Sequence, residues 1–247
     1  MKAMIFAAGL GTRLKPITDT MPKAMVPVGG KPLLYHIVCK LRDAGYDEIV
    51  VNVHHFAKQI RDYLQENDFG VRIRVSDESS RLLETGGGIL AAKDLLLPSC
   101  KPFLVHNVDI LSNLDLSSLR GATRDEDLAT LVVSPRETRR YLLFSEDMRL
   151  VGWTDTSTGE VRSPYPGLDP SSCQRYAFSG IHNVSPAIFD AMDSLGFAGR
   201  FSIIDFYLKA CAGYSIRGYV PESLSILDVG KIDTLREAER YCETSIK

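Results

Sequence analysis

Between residues 1 and 108 the chain alternates short apolar runs with helical patterns, and that alternation leaves little besides a parallel sheet with crossover helices. Met4 to Ala8 is the first expected strand, Ile49 to Val53 the second, Val71 to Val75 the third and Phe103 to Val108 the fourth. Helices are expected at Pro32 to Ala44, Ala57 to Gln65 and Gly88 to Leu96; the first carries Leu33, Leu34, Ile37, Val38 and Leu41 on one face, with Gly45 as its stop. After residue 120 the pattern loosens. Strands at Ala129 to Ser134, Tyr141 to Phe144, Arg149 to Trp153 and Tyr176 to Val184 imply a mixed or antiparallel extension of the sheet, and Ser163 to Pro170 is rich in turn formers and reads as a surface loop. A helix at Ser202 to Ala210, strands at Ser215 to Val220 and Ser225 to Val229, and a helix from Asp233 to Cys242 close the chain. No repeat or composition break divides it, so residues 1–247 are expected to form one α/β domain.

A length of 247 residues with 45% hydrophobic content suffices for one domain that buries roughly 70–75% of its unfolded surface. The net charge of −2 provides no global field for a polyanion, and no Lys/Arg run resembles a nucleic-acid arm, so phosphate chemistry must be local. Met1 to Gly9 looks superficially like a short signal peptide, but Gly9-Leu10-Gly11-Thr12-Arg13 interrupts it at once, as a buried strand leading into a loop would. No apolar run approaches the ~20 residues that span a bilayer, and no membrane partner is expected. Cys39, Cys100, Cys173, Cys211 and Cys242 are odd in number and widely spaced, which points to free thiols in a reducing cytoplasm rather than to disulfides or zinc.

Directly after the first strand come Gly9 and Gly11, then Thr12, Arg13, Pro22-Lys23 and Pro27-Val28. Two glycines let the backbone approach a phosphate and aim N–H groups at it, while Arg13 and Lys23 supply fixed positive charge. A dinucleotide-binding fold would need a third glycine at position 14, which is Leu, and a P-loop would need Gly-Lys-Ser/Thr. A plain turn explains the glycines but not the cations and Pro22.

The stretch Ala7-Ala8-Gly9-Leu10-Gly11-Thr12-Arg13, with Pro22-Lys23 and Pro27-Val28, closely resembles the signature of the nucleotide-sugar pyrophosphorylases, sugar-1-phosphate nucleotidyltransferases with a Rossmann-like core. The resemblance implies a mixed, mostly parallel sheet flanked by helices, and a nucleoside triphosphate held by Ala7, Ala8, Gly9, Gly11, Thr12, Arg13 and Lys23. It also implies Mg2+ beside the triphosphate, with Arg13 and Lys23 stabilising the leaving pyrophosphate.

Two anions meet when a sugar 1-phosphate attacks an α-phosphorus, so the site needs a divalent cation on one or two carboxylates. Asp109 ends the apolar strand at Phe103 to Val108, and Asp228 lies just before the last helix. Taken alone, an Asp after a strand is more often a turn former or a helix cap. By resemblance, Asn107-Val108-Asp109 corresponds to the family's Asn-Gly-Asp metal motif and Asp228-Val229-Gly230 to its second metal-binding motif. Val108 replaces a family Gly and Lys231 a family Thr, so a valine side chain is expected to crowd the ribose or substrate, and an added charge to lie near the sugar phosphate.

Glu84-Thr85-Gly86-Gly87-Gly88 reads either as a flexible loop at a helix start or as glycines and N–H groups lining a base. It resembles the same run in the N-acetylmuramate-1-phosphate uridylyltransferases. That implies base contacts from Glu78, Thr85 and Gly86, nucleotide contact from Asn107, and sugar contacts from Gly180 in Phe178-Ser179-Gly180-Ile181 and from Asp205. Guanylyl transfer to mannose 1-phosphate, cytidylyl transfer to choline phosphate, a non-catalytic nucleotide sensor and a dinucleotide oxidoreductase are the competing readings. The histidines, His54-His55 adjacent and His36, His106 and His182 isolated, lack ligand spacing, and Trp153 reads as packing.

Overall fold

The computed structural model describes residues 1–97 and 101–245. Cys100 lies outside them, as does the side chain of Cys242. The first half follows the expected alternation: β1 (Lys2–Phe6), the short pair β2 (Pro27–Val28) and β3 (Lys31–Pro32), α1 (Leu33–Asp43), β4 (Glu48–Val53), α2 (Ala57–Glu66), β5 (Arg72–Asp77), α3 (Glu84–Ala91), α4 (Lys93–Leu96) and β6 (Phe103–Asn107). The second half adds β7 (Ile110–Ser112), α5 (Leu116–Ala122), β8 (Asp127–Ser134), β9 (Arg140–Phe144), β10 (Leu150–Asp155), β11 (Glu160–Arg162), β12 (Gln174–Val184), α6 (Ile188–Ser194), α7 (Ile203–Ala210), β13 (Ser215–Tyr219), β14 (Ile226–Asp228) and α8 (Ile232–Ser245). Sequence patterning omitted β7, α5, β11 and α6, which are too short to show a period.

Among the described residues the main sheet runs β11-β10-β9-β12-β6-β1-β4-β5, with β8 and β13 branching from β12. The β6-β1-β4-β5 portion is parallel and the extension through β12, β9, β10 and β11 antiparallel, giving the Rossmann-like mixed sheet flanked by helices. Alternate side chains of each parallel strand feed opposite faces. Ala3, Ile5, Ile49, Val51 and Leu104 join Leu33, Ile37, Leu41 and Ile60 on one side, while Met4, Val50, Phe103 and Val105 join Ile89, Phe189, Phe206 and Tyr207 on the other.

The one expected boundary that moves with a consequence is the third helix. It begins at Glu84 rather than Gly88, so the glycine run lies inside a helix rather than in a loop. No described helix is long and apolar enough to cross a membrane.

Candidate active site

Parallel register brings three chain segments to one edge, because Phe6 pairs with both Asn52 and Asn107 at the carboxyl ends of β1, β4 and β6. Open α/β sheets place ligands at that edge. The glycine loop starts there, fixed by the Ala7 N–H donating to Asn52 Oδ1 at 2.8 Å. A cleft of about 410 Å³ opens beside it, walled by Ala7, Ala8, Gly9, Lys23, Asn107 and Asp109 on one flank and by Leu82, Glu84, Thr85 and Ser202 on the other. Gly9 faces open space. Gly11, at φ +64°, sits under the Thr18 methyl group, whose hydroxyl donates to the Gly11 carbonyl at 2.8 Å. The next turn, Thr12 to Leu14, buries Leu14 and leaves Thr12 and Arg13 exposed.

The segments that carry the two carboxylates meet through a ribbon of which the sequence showed only the second strand, at Ser225 to Val229. β7 and β14 pair antiparallel, with Asp228 opposite Ile110, and the Val229 N–H donates to the Asp109 carbonyl at 2.8 Å. Lys23 donates to Asp109 Oδ2 across a pair whose side chains are only 11% and 16% exposed. Asp228 Oδ1 is buried without a hydrogen-bond partner among the described residues. A buried carboxylate oxygen left unsatisfied is costly unless a cation or donor completes it. Gly230 keeps the space around it: an added Cβ would stand 2.6 Å from Asp228 Oδ1 and 2.7 Å from Arg13 Nη2. Lys23 and Asp109 thus line the cleft, while the Val229–Asp109 bond and the crowding around Gly230 set Asp228 and Arg13 next to it. No group of three or more His, Cys, Asp or Glu residues forms a metal cluster among the described residues, so any cation here must draw its other ligands from substrate or water.

Val108 lines the cleft between Asn107 and Asp109 but is nearly all buried. Its side chain is 3% exposed in the core beside β1, and its N–H donates to the Phe6 carbonyl at 3.2 Å. Lys231 is exposed at the start of α8, where its backbone exchanges hydrogen bonds with the Thr234 hydroxyl.

The other predicted contacts have a different geometry. The N–H groups of Gly86 and Gly87 both donate to the Phe201 carbonyl, at 2.9 and 3.2 Å, so they are consumed and cannot line a base. Gly86 also leaves no room for a Cβ against the Phe201 ring. Thr85 accepts from the Ile203 N–H at 2.9 Å, capping α7 while lining the cleft. Glu78 is 2% exposed behind Asn52: Oε1 accepts from Asn52 Nδ2 at 2.7 Å and Oε2 from the Leu83 N–H at 3.3 Å. Burial raises its carboxyl above the ordinary range, and those two donors pull it partly back. Gly180, at φ +76°, lies directly under the Asn107 amide.

Asp205 lines a second cavity of about 470 Å³, which shares Ser202 with the cleft, and pairs with Arg162 at 2.7 Å. Trp153 packs on the second core, as expected, and also walls this cavity. His106 and His182 are buried, His36 bonds the Val28 carbonyl and His54 the Glu78 carbonyl. Asn52 and Ser202 escaped the sequence reading; for Asn52 the signal was a lone amide inside the apolar run Ile49 to Val53.

The glycine loop, Lys23 and Asp109 thus meet at the carboxyl edge of the parallel sheet, where open α/β folds take their ligands. The family model described as Nucleotidyl transferase matches residues 2–142, and the chain belongs to that family. It is 33% identical over 230 residues to the N-acetylmuramate alpha-1-phosphate uridylyltransferase of Caulobacter vibrioides, covering 90% of this chain and 89% of that one. The protein of the same name from Neisseria meningitidis serogroup B is 46% identical over 119 residues, 48% of this chain and 51% of the relative. The fold matches the crystal structure of HddC from Yersinia pseudotuberculosis complexed with GMP-PN at a TM-score of 0.74, with 22% identity and coverage of 97% and 98%.

Proposed function

We propose that residues 1–247 act as one domain that transfers a uridylyl group from UTP to a sugar 1-phosphate, N-acetylmuramate 1-phosphate foremost, releasing pyrophosphate. The observation that carries this reading is the Lys23–Asp109 pair on the cleft wall, joined through the Val229–Asp109 bond to Asp228, whose Oδ1 has no partner among the described residues, with Arg13 beside Gly230. The names of the Caulobacter and Neisseria relatives support the base and the sugar. Free thiols at Cys39, Cys173 and Cys211 support a cytoplasmic site of action.

Asp109 and Asp228 would hold Mg2+, which supplies charge neutralisation between the two phosphate groups when bound. The chain's own groups do the rest. The loop at Gly9 and Gly11 lets backbone approach the triphosphate; Lys23 and Arg13 provide donors where charge builds on the departing pyrophosphate. Asn107, supported by Gly180, presents its amide to the cleft between the two substrates. No protein nucleophile is required, since the sugar phosphate oxygen attacks directly once the two are held in line.

Asp109→Asn and Asp228→Asn should each lower kcat for pyrophosphate release by about a hundredfold or more, with unchanged circular dichroism. Full activity in both variants sinks the assignment. A panel of triphosphates and sugar 1-phosphates tests base and sugar; turnover with GTP and mannose 1-phosphate in place of UTP would replace the uridylyl reading.

A further inference from the structure

We propose that the second cavity reads a carboxylate on the far side of the acceptor sugar, and that Arg136 and Arg162 are the residues that select an acidic acceptor over a neutral one. This rests on the transfer reading above and extends it to residues outside the catalytic site. The cavity adjoins the cleft through Ser202. Along β12, Phe178 walls the cavity and Gly180, two residues on, touches Asn107 of the cleft. β12 shifts register between Phe178 and His182 and Gly180 is left-handed, so the two places lie a few ångströms apart along one bulged strand, on the order of a sugar ring. A ring anchored by its phosphate at the cleft therefore extends its opposite edge into this cavity.

What waits there is cationic and exchangeable. Arg136, Arg140 and Arg162 line the cavity against two lining carboxylates, Glu160 and Asp205. Arg136 has no ion-pair partner among the described residues; its Nη2 donates to the Phe178 carbonyl at 3.1 Å, which aims the guanidinium along the strand that leads to the cleft. Arg162 lies 5.7 Å from the centre of the Trp153 ring and pairs with Asp205, both side chains being nearly half exposed. Exposed pairs of this kind contribute little and give way to a competing anion. A guanidinium offers a planar pair of donors that the two oxygens of a carboxylate match in two-point fashion, whereas a hydroxyl presents a single oxygen.

The test uses two acceptors that differ only by a carboxyl-bearing ether, N-acetylmuramate 1-phosphate and N-acetylglucosamine 1-phosphate, with UTP. The wild-type kcat/KM should favour the acid by about tenfold or more, and Arg136→Gln and Arg162→Gln should each erase most of that ratio by raising KM for the acid. Thermal melting of both variants confirms the fold. A wild-type ratio near one, or a ratio that neither variant moves, overturns the assignment while leaving nucleotidyl transfer intact. No turnover of either acceptor with any of the four triphosphates sinks the transfer reading instead. Calorimetric titration of the two acceptors then decides the cavity's role: preference for the acid that Arg136→Gln abolishes upholds it, and equal binding or none overturns it.

Discussion

At position 108 a valine stands between Asn107 and Asp109, and its side chain packs into the core beneath the cleft that it also lines. The sequence shows the departure from glycine but not the direction of the side chain, which depends on the Val108–Phe6 backbone bond. Val108→Gly should cost about 2–4 kcal/mol, the sum of lost valine burial and glycine's extra chain entropy, read from urea unfolding. A loss below about 0.5 kcal/mol would mean that the valine packs against nothing that matters. The same limit applies to Lys23 and Asp109. Each is legible as a charge next to a turn, but their pairing spans 86 positions and comes only from the fold. Glu78 is legible as an acid, and only its burial behind Asn52 shows that it braces the cleft wall from the rear.

The helix that opens with Glu84 contradicts local propensity, since three glycines in succession disfavour a helix. Tertiary contact overrides this: the Phe201 carbonyl accepts from two successive N–H groups, and Thr85 returns a cap to α7. Sequence pattern read the glycines as a loop or a helix start, because the partner segment that holds them in a helix lies more than a hundred residues downstream. Gly86→Ala pushes a methyl group into the Phe201 ring, so it should destabilise the fold by about 1–3 kcal/mol and raise KM for the triphosphate, Thr85 and Ser202 being walls of the cleft. A melting curve and a nucleotide saturation curve check both effects; an unchanged KM would show that α3 and α7 do not shape the cleft. The parallel strands, by contrast, are readable to within about two residues at each end, since their apolar runs feed both cores.

Across the molecule, the buried histidines make stability depend on acidity. Burial holds His106 down to about 4 and His182 down to about 3, against an ordinary value of 6.5. Below pH 6.5 the unfolded chain takes up protons that the folded chain refuses, so stability present at neutral pH is lost as pH falls from 6.5 toward 4. Each histidine contributes a slope of up to about 1.4 kcal/mol per pH unit. The raised Glu78 carboxyl works in the opposite sense, since the stability it gives is lost as pH rises through its folded value. Urea midpoints measured from pH 7 to 5 should fall, and His182→Gln should flatten the decline by about one proton; an equally steep decline in that variant would remove His182 as a cause.

The β7–β14 ribbon also bears on how the molecule is made. A nascent chain that has reached Asp109 already contains the glycine loop, Lys23 and the first carboxylate, yet Asp228 must still be synthesised and laid against Ile110. Under the proposed function, a chain truncated before residue 228 lacks the second carboxylate, and it is expected to be inert even where much of both cores has formed.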